Sequence, residues 1–380
     1  MLWYWILAGP ALALAVLSLR GERTRAAYVA RRLSEVAADL PPASVIVPVK
    51  GADQGLRENL AALASLDYPD FELLIVARSA ADIPAGVLPR RARVVLAHGE
   101  DPQTGEKVQN LAAAVRETRH ESRIFAFADS DVRVTPRWLR ALAAPLGEPG
   151  IGASTGYRWF APEPAAFWSL ARSVWDAVAF GVLGPGDNRF AWGGSMALRK
   201  ETFYDACVLE YWKNAVSDDF MLSAAVHAAG LRIAFAPGAL APCFDQAGAR
   251  GLFSWMRRQT TLTRVHDRPL WLAGLMAHAL YCGGMGASLA ASLAGSRLAV
   301  VALAAQLAPG MWKGWNRAAQ AKAALPEQAA WFRRYAWAHV LLVPLVTWIW
   351  LMALAAAAFG KTIEWRGYRY KLKSPAPPRV

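Results

Sequence analysis

Hydrophobic and polar positions divide the chain into three regimes. Residues 2–19 carry no charge, and as a helix they would span about 27 Å, enough for a bilayer core. Arg20, Arg23, Arg25, Arg31 and Arg32 follow. A signal peptide places its basic residues before the apolar run, not after it. The order here reads as an uncleaved anchor over 1–20, with its C-terminal end in the cytoplasm, and a basic linker over 21–40. From Pro41-Pro42 onward, short apolar runs alternate with amphipathic stretches. Strands are expected at 44–49, 71–77, 93–96 and 123–128. Helices are expected over 54–66, where Leu56, Leu60, Leu63 and Leu66 recur at helical spacing, and from Gly105-Glu106-Lys107 through Val115. That alternation predicts a parallel, doubly wound sheet covered by helices. Beyond residue 136 the pattern is mixed. An aromatic-rich amphipathic stretch occupies 165–183, and a strand follows Trp192-Gly193-Gly194-Ser195. Val216-Ser217-Asp218-Asp219-Phe220-Met221-Leu222 opens a helix running to Ala229 with Gly230 as its cap, and a strand covers 232–235.

After Pro269 apolar residues dominate again. Segments 270–294 and 336–359 are each long enough to cross a bilayer, whereas 298–308, about 17 Å as helix, suits a re-entrant or interfacial piece. Lys313, Arg317, Lys322, Arg333 and Arg334 form a basic amphipathic stretch, and the tail adds Lys361, Arg366, Arg369, Lys371, Lys373 and Arg379. Two crossings plus a partial insertion keep that tail on the cytoplasmic side, as the positive-inside rule asks. The expected organisation is an anchor (1–20), a linker (21–40), a cytosolic catalytic domain (41–268), a C-terminal membrane region (269–360) and a basic tail (361–380).

Composition narrows the class. Apolar residues make up 55% and charged residues 19% of the 380 positions, too apolar for an ordinary soluble enzyme. The net charge of +13 concentrates beside the apolar segments, which suits anionic head groups and not nucleic acid. Cys207, Cys243 and Cys282 are far apart and form no C-x-x-C, so neither a disulfide framework nor a zinc site is indicated. No G-x-G-x-x-G or Walker A lysine loop is present, which leaves dinucleotide binding and P-loop chemistry without support.

The candidate chemistry begins at Ile124–Val134. This apolar, aromatic run stops at Asp129 and Asp131, where an open α/β sheet places its ligands. Residues i and i+2 of an extended segment point the same way. Two such carboxylates favour a hard divalent cation, Mg2+ or Mn2+, which can stabilise charge on a departing diphosphate. An acidic loop or a helix cap gives the same local pattern. Lys107, at a glycine-opened helix start, adds positive potential. Asp218 and Asp219 stand at another helix start, either as caps or with one of them as a general base. Arg257 and Arg258 suit phosphate oxygens or a membrane surface. Trp175, Trp192 and Trp255 read as core or interface residues.

Taken in order, several segments resemble the membrane glycosyltransferases of the family-2 type. They are Pro48-Val49-Lys50-Gly51-Ala52-Asp53, Leu66-Asp67-Tyr68-Pro69-Asp70-Phe71-Glu72-Leu73-Leu74, Gly105-Glu106-Lys107-Val108, Asp129-Ser130-Asp131-Val132-Arg133-Val134, Ser217-Asp218-Asp219-Phe220 and Trp365-Arg366-Gly367-x-x-Tyr370. The ceramide glucosyltransferase branch and the related bacterial hopanoid-associated enzymes are the narrower likeness, and it covers nearly the whole chain. The resemblance implies a GT-A fold, an α/β Rossmann-like mixed sheet with helices on both faces. It also implies a UDP-sugar donor, Mg2+ or Mn2+, inversion at the anomeric carbon and a membrane lipid acceptor, ceramide foremost. It puts Pro48, Val49, Asp82, Lys107 and Asp129 on the donor side, with Asp82 at the uridine. Asp129 and Asp131 take the metal, and Asp219 is the base. Asp218, Gly194, Arg257 and Arg258 are implied near the diphosphate or acceptor. The family's last motif, Gln or Arg, two residues, then Arg-Trp, is altered here to Trp255-Met256-Arg257-Arg258-Gln259, which keeps only the arginine at 258. The expected protein is integral to a bacterial inner membrane with its catalytic domain cytoplasmic. The rivals are a transferase acting on a hopanoid or a polyprenyl phosphate, a processive polysaccharide synthase, a nucleotidyltransferase and a catalytically inactive membrane scaffold.

Overall fold

The computed structural model describes residues 3–35, 39–98 and 101–374; Arg379 of the basic tail lies outside them. The strands are β1 (Ala43–Pro48), β2 (Phe71–Ala77), β3 (Ala92–Leu96), β4 (Ile124–Ala128), β5 (Ile151–Thr155), β6 (Arg158–Phe160), β7 (Ser195–Arg199), β8 (Arg232–Phe235), β9 (Ala241–Cys243), β10 (Thr362–Trp365) and β11 (Tyr368–Lys371). The helices are α1 (Trp5–Ser34), α2 (Leu56–Ala64), α3 (Glu106–Arg116), α4 (Trp138–Ala143), α5 (Phe167–Phe180), α6 (Lys200–Asp205), α7 (Val208–Trp212), α8 (Asp218–Ala228), α9 (Ala249–His266), α10 (Arg268–Leu293), α11 (Arg297–Ala324), α12 (Ala329–Tyr335), α13 (Ala338–Leu341) and α14 (Val343–Ala356). They fall into two compact units. One comprises Met1–Ala27, Pro162–Gly181 and Gln246–Lys371, and the other Tyr28–Ala161, Val182–Asp245 and Leu372–Val380.

The second unit is built on a seven-stranded sheet in the order β3-β2-β1-β4-β7-β5-β8. β1 is buried along nearly its whole length, as a central parallel strand covered on both faces must be. β3, β2, β1 and β4 are parallel, as their alternation with helices requires. The sheet is mixed and not wholly parallel, because β7 runs antiparallel to both β4 and β5. β7 begins where β4 ends, with Ala128 opposite Ser195. On one face Ile46, Leu74, Phe125, Phe127, Met196 and Leu198 pack with Val108, Leu111 and Val115 of α3 and with Trp212 and Leu222. The α3 residues sit at i, i+3 and i+7, one helical stripe. Gly156 allows the chain to leave β5, since a Cβ there would lie 2.0 Å from the Ala239 carbonyl oxygen.

The first unit is helical. α1, α10 and α11 meet through small residues, with Tyr4 and Ala8 against Ala287, Ala291, Ala299 and Ala302; small side chains let helix backbones approach closely. Buried Gln306 Nε2 donates to Ser288 Oγ at 2.8 Å and ties α11 to α10. Trp175 of α5 stacks on Trp350 of α14 (centroids 3.8 Å apart, planes 7° apart), and Trp255 of α9 meets Trp175 edge-on at 5.1 Å. These contacts group α5 and α9 with the helical unit, although both lie inside the 41–268 span expected for the catalytic domain. The segment expected as a linker is helical through Ser34. α1 and α10 are long and apolar enough to cross a membrane. Segment 298–308 is not an isolated insertion but the first part of the 28-residue α11. Segment 336–359 is broken at Leu342, and its longest continuous helix has 14 residues, about 21 Å and short of a bilayer core.

Phe127 is fully buried in β4. Phe127→Ala is expected to cost about 3–5 kcal/mol of stability, read as a lower melting temperature in detergent; an unchanged melt would contradict this packing.

Candidate active site

The C-terminal ends of β1, β2 and β4 and the start of β7 lie at one edge of the sheet. In open α/β folds that edge is where ligands bind. β4 runs straight into Asp129. Ser130 is buried, and its hydroxyl donates to Asp53 Oδ2 at 2.5 Å, while Asn59 Nδ2 donates to the Ser130 carbonyl at 3.0 Å. The central residue of the Asp-Ser-Asp run is thus fixed from the β1–α2 side.

Two helix starts converge on the same edge. Gly105 N–H donates to the Ala215 carbonyl at 2.7 Å, and Asn214 N–H donates to Thr104 Oγ1 at 2.9 Å. These bonds set the beginning of α3 beside the beginning of α8. A Cβ at Gly105 would sit 3.0 Å from the Val216 carbonyl oxygen, so the approach needs glycine. Lys107 consequently reaches two carboxylates, with Nζ 2.8 Å from Asp129 Oδ1 and 3.1 Å from Asp218 Oδ2. Asp218 is buried and Asp219 half-buried. Asp219 is oriented by three donors: Ser217 Oγ and the Phe220 N–H (2.8 Å) to Oδ1, and the Gly193 N–H (3.3 Å) to Oδ2.

The diglycine before β7 makes the last wall. A Cβ at Gly193 would lie 2.4 Å from Asp218 Oδ2, and one at Gly194 would lie 2.6 Å from Asp129 Oδ2 and 2.3 Å from the Trp192 ring. Trp192 is held edge-on to Tyr157 at 5.6 Å, with the Arg158 guanidinium over its ring at 5.4 Å.

Charge in this cluster is poorly balanced. Burial, then Asp129, Asp53 and Asp245, push the Asp131 carboxyl up to about 7, with Arg158 opposing. Burial, Asp219 and Asp129 likewise raise Asp218 to about 6 against the pull of Lys107. Burial disfavours the Lys107 ammonium, but Asp129, Asp218 and Asp219 outweigh it and hold its pKa above the ordinary value. Among the described residues no three His, Cys, Asp or Glu side chains form a metal-binding group. Asp129 and Asp131 nevertheless fit an ion of the Mg2+ kind, which takes one or two carboxylates and completes its shell with water and substrate phosphates.

The other expected residues are placed as follows. Pro48 and Val49 end β1, with Val49 N–H donating to the Val76 carbonyl at 2.8 Å and its side chain buried. Asp82 lies in the turn after β2. Its carboxylate accepts from Ser79 N–H and Oγ, both at 3.0 Å, and its carbonyl accepts from Gly51 N–H at 2.7 Å. Arg257 and Arg258 lie on α9 of the helical unit, where Arg257 is exposed and Arg258 sits over the Trp365 ring of β10 at 5.4 Å. Asp53, Arg158 and Asp245 had been given no role from sequence. Asp53 follows β1 much as Asp129 follows β4, a signal open to a strand-end reading, whereas Arg158 and Asp245 carry no local sign.

A carboxylate pair at a strand end, a lysine shared between two carboxylates and a half-buried aspartate at a helix start are gathered at this edge of the sheet. The chain belongs to glycosyl transferase family 21, whose profile matches residues 3–376, and it is a glycosyltransferase. Among solved structures it is similar to the mannosyltransferase PcManGT from Pyrobaculum calidifontis in complex with GDP-Man and Mn2+, at 18% identity, covering 93% of this chain and 97% of that one, with a TM-score of 0.44. It is also similar to GalNAc-T7 with UDP, GalNAc and Mn2+, at 11% identity, covering 63% of this chain and 52% of that one, with a TM-score of 0.42.

A carboxyl with a raised folded pKa stabilises the fold fully below its unfolded value and loses that contribution as pH rises through the folded value. For Asp218 and Asp131 the window runs from 3.8 up to about 6 and about 7. Chelator-treated protein is therefore expected to lose stability from pH 5 to pH 8. Asp131→Asn should flatten that fall and raise the pH 8 melting temperature. Parallel melting curves for the two proteins across the range would refute the charge imbalance.

Proposed function

We propose that the chain transfers a sugar from a UDP-sugar to the hydroxyl of a membrane lipid, ceramide foremost, with inversion at the anomeric carbon. The observation that carries this reading is the gathering of Asp129, Asp131, Lys107, Asp218 and Asp219 at one sheet edge. Asp82 and the Pro48-Val49 segment are assigned to the uridine side. Asp129 and Asp131 would hold Mg2+ or Mn2+, and that ion supplies Lewis-acid stabilisation of the leaving diphosphate when bound. Lys107 balances Asp129 and Asp218 and adds positive potential at the same edge. Gly193 and Gly194 let the backbone pass close against Asp218 and Asp129. Arg257 and Arg258 are kept as further candidates for phosphate or acceptor contacts.

Asp219 is assigned as the base because it is the more accessible of the two helix-start carboxylates and is already oriented. A lipid hydroxyl has a very high pKa and must lose its proton as it attacks. Its oxygen forms the new bond to the anomeric carbon from the face opposite the diphosphate. The bond to the diphosphate breaks, and the proton passes to Asp219. Attack from that opposite face is what produces inversion. α1 and α10 supply the bilayer attachment. The arginines that follow the apolar part of α1 support a cytoplasmic catalytic unit in a bacterial inner membrane.

Membranes carrying the chain, incubated with a panel of UDP-sugars, are expected to yield a glycosylceramide by mass spectrometry. Sugar found only on lipid-linked phosphate would overturn the ceramide reading. Asp219→Asn should lower turnover about 10²–10⁴-fold with donor binding kept; full transfer by that variant would remove Asp219 from the role. Chelation should abolish transfer and Mn2+ restore it.

A further inference from the structure

The helical unit carries a second feature that sugar transfer does not use. α1 and α11 run parallel along one seam. Tyr4 and Ala8 cluster with Ala299 and Ala302 at one end. At the other, Lys313 Nζ donates to Ser18 Oγ at 2.8 Å and Asn316 Nδ2 to Glu22 Oε1 at 3.0 Å. Both helices turn from apolar to basic at nearly the same level, α1 from Arg20 and α11 from Lys313. A groove of about 350 Å³ lies between them, walled by Leu12, Val16, Ala305 and Ala308, with Arg23 and Trp312 among its lining. The Arg23 guanidinium stands over the Trp312 ring at 6.0 Å. The volume is within the range of ligand sites, and the groove is apolar along its length and cationic at one end.

Charge along the seam is unbalanced. Glu22 is the only carboxylate within α1 and α11. It is buried and already accepts from Arg25, Asn316 and Gln320, with Arg317 Nε 3.6 Å from its other oxygen. Arg23 and Lys313 make no ion pair among the described residues; Lys313 has Ser18 and the Tyr281 ring, and Arg23 has the Trp312 ring. A basic residue at the end of an apolar groove selects an amphiphile with its anion at that end.

We propose that the α1–α11 seam binds one anionic phospholipid of the bilayer, with an acyl chain against Leu12, Val16, Ala305 and Ala308 and the phosphate at Arg23 beside Trp312. The proposal rests on the membrane reading above, since Arg23 stands one turn past the apolar part of α1, at head-group depth. A neutral lipid offers Arg23 no anion. A zwitterionic one offers a phosphate whose charge its own ammonium offsets. The site thus takes a lipid distinct from the sugar acceptor, and no bond is made or broken there.

The test uses the full chain in mild detergent, offered equal amounts of phosphatidylglycerol and phosphatidylcholine with matched acyl chains, with retained lipid read by native mass spectrometry. Phosphatidylglycerol should be retained in about fivefold excess, the ratio one basic residue at head-group level supplies. Arg23→Gln should abolish that preference while the protein still melts at the same temperature. Ala308→Phe should expel both lipids by filling the groove; Val16→Phe is the alternative if that variant fails to accumulate. Equal retention of the two lipids, or an unchanged preference in Arg23→Gln, overturns the proposal. A carbonate wash separates the two readings. A chain stripped from membranes by carbonate defeats the membrane reading and the lipid site together, whereas a chain that stays bound and shows no lipid preference defeats the lipid site alone.

Discussion

One ammonium group holds the candidate site together. Lys107 comes from the start of α3, Asp129 from the end of β4 and Asp218 from the start of α8, and among the described residues the only cation within ion-pair distance of both carboxylates is Lys107 Nζ. Buried carboxylates that share a small space repel one another unless a positive charge lies between them. Much of the surrounding backbone follows from that need. Gly105 lets α3 begin close to Val216, and Gly193 leaves space where a methyl group would collide with Asp218 and crowd Lys107. Among the described residues Asp131 makes no ion pair with this lysine, and burial with Asp129, Asp53 and Asp245 pushes its pKa up, which makes it the natural partner of an incoming cation.

The parts of the site that were legible in sequence are those whose chemistry coincides with an element boundary. Asp129 and Asp131 end an unmistakable apolar strand, Lys107 follows a helix-opening glycine, and Asp218-Asp219 begins a helix. Which of the last two is buried could not be read, because consecutive residues on a first helical turn differ only in direction, and Trp212 and Lys107 decide it from elsewhere in the chain. Arg158 lies on β6 and Asp245 just after β9, and β6 and β9 pair with each other across some eighty residues; no local pattern announces such a pairing. β5, Ile151-Gly152-Ala153-Ser154-Thr155, escaped notice because three of its five residues are small. Its Gly152 is demanded by Leu231 and Val226, which a Cβ would meet at under 3 Å.

In the helical unit the apolar pattern located helices well but divided them poorly. Charge near one end of α11 hid its continuity with residues 298–308. Conversely, the unbroken hydropathy of 336–359 hid the interruption at Leu342. Hydropathy counts side chains and is blind to the partners that satisfy them. The Trp175–Trp350 stack, the Trp350 Nε1 bond to the Trp175 carbonyl and the Gln306–Ser288 pair are long-range contacts. The Trp175 contacts with Trp350 and Trp255 also group α5 and α9 with the helical unit, so Trp255 of the altered stretch takes part in that packing.

The wall opposite Asp129 is made of bare backbone. Where a binding site is lined by side chains, a lineage can retune its ligand one substitution at a time. At Gly193 and Gly194 that route is closed, because the smallest available change already overlaps Asp218, Asp129 or Trp192. Divergence among descendants of this fold is therefore channelled to the remaining sides of the crevice, and the diglycine becomes a fixed edge around which sugar preference can drift while the charge chemistry stays put.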